Sequence, residues 1–257
     1  MKNKVIMSFD SINSYRALPE VSGARTYVAG DIHGCAAELD IMLNHLVSKE
    51  KLTAQDRVIF VGDYIDRGPD SARVVDLLIA FGQDYQAIFL KGNHEDMLLD
   101  YLGMPGQMGE AWLINGGQAT LRSYGLSLVA DRDEVLVKMP QEHLKFYEFL
   151  ERYVIAKDFV VVHAGLDPLR ELEYQLDSDL YWIREEFIEP PHHFDKLIVF
   201  GHTPQPKVLF QPPYKIGVDT GLVFGNRFSV VELSEKKVLA LPKGKTKVGS
   251  KSVADKF

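Results

Sequence analysis

Five short apolar runs in this chain each end in a glycine-flanked cluster of potential ligand side chains: GDIHG (Gly30 to Gly34), GDYIDRG (Gly62 to Gly68), GNHE (Gly92 to Glu95), HAG (His163 to Gly165) and GHT (Gly201 to Thr203). The runs themselves, Thr26–Ala29, Val58–Val61, Ala87–Leu90, Phe159–Val162 and Leu197–Phe200, are too short for helices. They are apolar on both alternating faces, as strands covered on both sides are. Asp31, His33, Asp63, Asn93, His163 and His202 therefore all fall at carboxyl ends of strands, where ligand sites of open α/β sheets form. The expectation is convergence on one edge of a sheet.

Helical patterns lie between the runs. Ala36–Lys49 sets Leu39, Met42, Leu43, Leu46 and Val47 on one stripe, Ser71–Phe81 does so with Val74, Val75, Leu77 and Leu78, and Glu142–Arg152 with Leu144, Tyr147 and Leu150. Gly109–Tyr124, with Trp112 and Asn115-Gly116-Gly117, reads as a helical insertion with a tight turn that demands no chemistry. Ile216–Val218, Phe228–Leu233 and Val238–Leu241 read as strands of a second sheet, the last two joined by a hairpin around Ser234–Lys237.

A length of 257 residues without a Pro/Gly/Ser-rich linker suits one large domain. The expected division is an unassigned N-terminal extension over 1–24, a catalytic domain over 25–241, and a basic, mobile tail over 242–257 that carries Lys243, Lys245, Lys247, Lys251 and Lys256. A net charge of −7 argues against a nucleic-acid surface. The single cysteine, Cys35, excludes an intramolecular disulfide. With no leader pattern and no spanning segment, the expected compartment is the cytoplasm. His45 and His143 are expected on partly exposed helix surface, and His192-His193 in a solvated loop.

The clusters carry a specific chemistry. Asp31 and His33, two apart in one turn, can aim a carboxylate and an imidazole at one point. Asp63 has two oxygens that can bridge two cations about 3.5–4 Å apart, and Asn93, His163 and His202 would complete a second site. Oxygen and imidazole ligands without thiolate suit Mn, Fe or Zn better than Ca. His94, beside a ligand, is the candidate general acid, and Asp66 is placed to hold its ring. Arg67 offers a bidentate fork to phosphate oxygens.

In that order and spacing the motifs resemble, from about Thr26 to Asp219, the phosphoprotein phosphatase family of metal-dependent serine/threonine phosphatases, within the calcineurin-like metallophosphoesterases. The resemblance implies an α/β fold with a central two-sheet β-sandwich flanked by helices. It implies two divalent cations, with Mn²⁺ the expected pair and Fe or Zn open, held by Asp31, His33 and Asp63 on one side and Asp63, Asn93, His163 and His202 on the other. It also implies His94 with Asp66 as the acid pair, Asn93 and Arg67 as contacts to the substrate phosphate, and Arg184, in Tyr181-Trp182-Ile183-Arg184, as the second phosphate-binding arginine.

Lys91 stands before GNHE where eukaryotic members have arginine, and Gln211-Pro212-Pro213-Tyr214 replaces their longer inhibitor-binding loop, so a stand-alone bacterial or phage type without a regulatory subunit is expected. The implied activity is dephosphorylation of phosphoserine or phosphothreonine in proteins by in-line attack of hydroxide generated at the two cations. The alternative is dinucleoside polyphosphate hydrolysis. A bacterial relative of the family, the diadenosine tetraphosphate hydrolase, resembles this chain in most motifs but has alanine where Asp66 stands, which favours the monoesterase branch. A non-catalytic phosphoprotein-binding module is a third reading, disfavoured because the ligand set is intact.

Overall fold

The computed structural model describes residues 15–256, which form twelve strands and eight α-helices. The strands are β1 (Tyr15–Ala17), β2 (Thr26–Ala29), β3 (Arg57–Phe60), β4 (Gln86–Phe89), β5 (Tyr153–Ile155), β6 (Phe159–Val162), β7 (Leu197–Phe200), β8 (Leu209–Gln211), β9 (Lys215–Gly217), β10 (Arg227–Glu232), β11 (Lys237–Pro242) and β12 (Gly249–Ser252). The helices are α1 (Ala36–Ser48), α2 (Ser71–Asp84), α3 (Asn93–Tyr101), α4 (Gln118–Ser123), α5 (Arg132–Lys138), α6 (Gln141–Glu148), α7 (Asp177–Trp182) and α8 (Glu185–Ile188).

The strands form two six-stranded sheets, in the orders β1-β5-β6-β7-β9-β8 and β12-β11-β10-β2-β3-β4. Within them β2, β3 and β4 run parallel, as do β6, β7 and β9. Side-chain alternation explains why the apolar runs are unbroken. Val28, Ile59 and Val61 face Val161, Val199 and Ile216 between the sheets. Tyr27, Ala29, Val58 and Phe60 turn the other way, onto α1 and α2, and Val160, Val162 and Phe200 turn onto α7 and α8. A strand buried on both faces admits no polar position until it ends, which confines polar chemistry to the turns.

The expected two-sheet sandwich is the observed fold, and the split between sheets corrects the rest. The five motif-bearing strands do not share a sheet edge: β2, β3 and β4 belong to one sheet and β6 and β7 to the other. The motifs therefore meet across the top of the sandwich. The later strands are also divided, because β9 pairs with β7 while β10 and β11 extend the sheet of β2.

The segment expected as a mobile tail is structural. β12 pairs antiparallel with β11 from Lys237↔Ser252 to Ala240↔Gly249, and Val253 is buried. Lys243 and the Gly244 amide both bind the Glu38 carboxylate of α1, at 3.0 and 2.9 Å. Of the N-terminal extension, Tyr15–Ala17 pairs with β5, and residues 1–14 lie outside the described residues. His143 is buried between the Tyr124 hydroxyl and Asp76, and His192 is buried against the Phe187 ring, so neither is the surface residue expected; His193 is exposed. Among the described residues no helix is long and apolar enough to cross a membrane.

Candidate metal centre

The turns that end the motif strands hold their polar residues in strained backbone. His33, Asp63, Asp66, Arg67 and His202 all have positive φ, between 45° and 70°, a region that costs a residue with a side chain on the order of 1–3 kcal/mol. The glycines of these motifs serve both turn and approach: Gly34 and Gly62 also have positive φ, while a Cβ on Gly92 would lie 2.2 Å from Asp63 Oδ1 and one on Gly201 2.3 Å from Asp31 Oδ1.

Glu95 pins this arrangement together. Its carboxylate accepts from the amides of Asp63 (2.9 Å), Tyr64 (2.8 Å), Ile65 (3.3 Å) and Gly92 (3.0 Å), tying the strained turn after β3 to the first turn of α3. Burial, reinforced by the nearby Asp63 charge, pushes its carboxyl up to about 8 against the pull of those amides. The sequence reading missed Glu95, although a glutamate at the third helical position reaching back to the N-cap amide is a recognisable signal.

Asp63 lies at the middle of the site. Its Oδ2 is 3.3 Å from His33 Nε2 and its Oδ1 is 3.4 Å from His163 Nε2, so each oxygen faces a different imidazole. In both histidines the other ring nitrogen meets a main-chain carbonyl, Nδ1 of His33 at Ile65 O (2.8 Å) and Nδ1 of His163 at Val61 O (2.9 Å). Those bonds leave each Nε2 lone pair directed at the centre. His33, Asp63 and His94 offer ligand atoms within 4.8 Å of one another, and so do Asp63, His163 and His202. Asn93 Oδ1 lies 3.2 Å from His163 Nε2.

Asp31 is brought to the centre but outside both tight groups, with its two oxygens accepting from the His202 amide at 3.2 and 3.1 Å. Burial, together with the charges of Asp219 and Asp63, raises its carboxyl well above the usual range. Asp219, also missed from the sequence, is buried and accepts from the Gly221 amide at 2.8 Å; burial raises it to about 6. Its signal was only a carboxylate just beyond a short apolar run, weaker than the repeated motifs.

His94 is fixed from the opposite side. Its Nδ1 lies 2.7 Å from Asp66 Oδ2, both side chains are buried, and its Nε2 has no hydrogen-bond partner. Asp66 is held in turn by the Trp112 indole N–H, at 3.1 and 3.0 Å from its two oxygens, and by the Thr120 hydroxyl at 2.6 Å. The Gly116 carbonyl accepts from the Arg67 amide at 3.2 Å. The Gly109–Tyr124 insertion, expected to carry no chemistry, is thus the cradle of the His94–Asp66 pair. Nothing local in its sequence shows this, because the contacts bridge 46 to 54 residues.

Arg67 reaches the centre with Nη1 2.6 Å from His33 Nε2. Arg184, in the bend between α7 and α8, donates to His202 O (3.4 Å) and Thr203 Oγ1 (3.3 Å), flanking the His202 end. The two arginines thus stand on opposite sides of the paired groups.

The donor set fits a pair of divalent cations. His202 Nε2 is buried without a partner, an unfavourable state unless something binds it. Burial drives His202 down to about 2 and also lowers His163, which keeps both rings neutral and able to ligate. Three buried carboxylates, Asp31, Asp63 and Asp219, crowd this space, more negative charge than the nearby Arg67 guanidinium balances.

Comparison with known proteins agrees with this geometry. The profile of the calcineurin-like phosphoesterases matches residues 24–230. A bis(5'-nucleosyl)-tetraphosphatase PrpE [asymmetrical] of Oceanobacillus iheyensis is 27% identical over 243 residues, 83% of this chain and 90% of that protein. Serine/threonine-protein phosphatase 1 of Salmonella typhimurium is 30% identical over 229 residues, 85% of this chain and 96% of that protein. A crystal structure provisionally assigned as a diadenosine tetraphosphatase superposes with a TM-score of 0.67 at 24% identity, covering 90% of this chain and 99% of that one, which supports the fold. The profile match, the two-sheet architecture and the paired ligand groups agree, and the chain belongs to the calcineurin-like phosphoesterases.

Proposed function

We propose that this metallophosphoesterase hydrolyses dinucleoside tetraphosphates asymmetrically, releasing a nucleoside monophosphate and a nucleoside triphosphate. The observation that carries the reading is near full-length similarity to bis(5'-nucleosyl)-tetraphosphatases, at 27% and 28% identity over 83% and 84% of the chain. A pair of divalent cations, Mn²⁺ by preference, would be held by His33, Asp63, Asn93, His163 and His202, with Asp31 adding charge beside His202. When bound, it supplies charge neutralisation to phosphate oxygens and acidifies water.

The chain's own residues do the rest. Arg67 and Arg184 hold the equatorial oxygens of the attacked phosphorus from two sides, and Asn93 adds an amide donor. Water adds to phosphorus and releases one proton to solvent as the bond to the bridging oxygen breaks, and His94 Nε2 gives its proton to the departing oxygen. Asp66, accepting from Nδ1, fixes the ring so that Nε2 is presented to the departing oxygen.

The second reading is phosphoserine or phosphothreonine hydrolysis in proteins, and the buried Asp66–His94 pair supports it. A departing nucleotide phosphate is a stable anion, whereas a seryl oxygen leaves only with a proton, so so well-built an acid is worth more to a monoesterase. The Salmonella relative points the same way. The test is parallel turnover of diadenosine tetraphosphate and a phosphoserine peptide by Mn²⁺-loaded protein, with products resolved by chromatography. Equimolar AMP and ATP at the higher kcat/KM supports the proposal; phosphate release from the peptide alone replaces it with the second reading.

A further inference from the structure

Beside the metal centre, the chain displays an aromatic ring that the chemistry above does not use. Phe224 is 65% exposed, yet the turn carrying it is tightly bonded. The Phe224 and Asn226 amides both donate to Gly221 O at 3.1 Å, and the Gly225 amide donates to Leu222 O at 3.1 Å. Gly221 is anchored by Asp219, and Asn226 Nδ2 reaches Pro206 O at 3.2 Å. Gly221 has φ of +70°, and a Cβ there would sit 3.8 Å from the Phe224 ring, so the turn closes around its own aromatic tip.

A solitary exposed phenylalanine is ordinary on a protein surface. Two features set this one apart. The Arg67 guanidinium lies over the ring, 5.5 Å from its centroid, and the same guanidinium sits 2.6 Å from His33 Nε2. One side chain thus joins the ring to the phosphate end of the site. A 5.5 Å separation leaves no room for a third plane between guanidinium and ring, so a ligand can stack only on the ring's open side.

Resting on the dinucleotide reading, we propose that Phe224 is a specificity-determining residue, a preorganised shelf on which one nucleobase of the substrate stacks while Arg67 grips the adjoining phosphates. The recognition is of a π face, so it tolerates different bases. A rigid turn presenting the ring loses little conformational freedom when the base binds.

Steady-state kinetics of Mn²⁺-loaded wild-type, Phe224→Ala and Phe224→Trp proteins on diadenosine tetraphosphate tests this, with inorganic tripolyphosphate as an inhibitor that lacks a base. Loss of one base–aromatic stack should raise KM about five- to a hundredfold in Phe224→Ala while the inhibition constant of tripolyphosphate moves less than about twofold. Phe224→Trp should restore the wild-type KM. An unchanged KM in Phe224→Ala would overturn the shelf while leaving the dinucleotide reading intact, and a parallel rise of KM and inhibition constant would assign the loss to the phosphate site. Failure of the wild type to turn over the dinucleotide, with Phe224→Ala altering KM for a phosphoserine peptide, would overturn the underlying reading and the nucleobase assignment together.

Discussion

His94 Nδ1 lies 2.7 Å from Asp66 Oδ2 with both side chains buried, and Asp66 takes three further contacts from Trp112 and Thr120. A carboxylate so enclosed fixes one tautomer of its histidine, and Nε2 is left to carry the mobile proton. Asp66→Asn should therefore lower kcat by about 10²- to 10⁴-fold. The loss should be greater on a phosphoserine peptide than on diadenosine tetraphosphate, whose leaving group needs the proton less. Metal content, read by elemental analysis, should stay at the wild-type value; equal losses on both substrates would remove His94 from the leaving-group side.

Trp112 touches no proposed ligand of the metals, yet it should matter to catalysis. Trp112→Phe keeps the buried ring and deletes the N–H that meets both oxygens of Asp66. A hydrogen bond to a buried carboxylate is worth about 1.5–3 kcal/mol, and roughly half of that appearing in the transition state gives about a three- to tenfold fall in kcat. The loss should fall on kcat with KM and metal content unchanged, a split that simple loosening of the fold would not produce.

Removal of divalent cations should cost stability, because strained turns and uncompensated carboxylates are gathered around one point. At a free metal concentration about a hundred times the dissociation constant, binding stabilises by about 2.7 kcal/mol. For a chain of this size that corresponds to about 5–10 °C in Tm, measurable by scanning calorimetry with and without chelator. His202→Ala should lower the metal-to-protein ratio and reduce that difference.

Far from the site, Asp56 sets an acid limit on stability. Burial alone would raise its carboxyl, but the Arg25 guanidinium at 2.7 Å, the Arg25 amide and the amide and hydroxyl of Thr53 hold it at about 2, below its ordinary 3.8. Because the folded value is the lower one, the contribution is fully present above the ordinary value and is lost as pH falls toward 2. With Arg25 part-exposed and screened, the contribution is on the order of 1 kcal/mol. Asp56→Asn should lower Tm at neutral pH, and the gap to wild type should narrow between about pH 4 and pH 2.

The sequence by itself determined the five motif-bearing strands, because chain segments covered on both faces must be apolar throughout, and it determined the ligand types, because polar residues gather where those strands stop. It also marked His94 and Asp66 as a pair. What it could not carry was any relationship spanning the fold. Local alternation says that β2 and β6 are buried, but it contains no record of which partner each takes, so the division of the motifs between two sheets emerged only with strand pairing. The Gly109–Tyr124 insertion carries no chemical signature, since Trp112 and Thr120 acquire a role only when α3 and α4 bring them against Asp66. The lysine-rich end of the chain reads as solvated for the same reason: edge-strand pairing of β12 rests on main-chain hydrogen bonds, which leave the side chains free to be charged and exposed. Ligand identity is a property of residues, whereas the enclosure that tunes those ligands is a property of contacts between distant segments, and only the tertiary structure decides those.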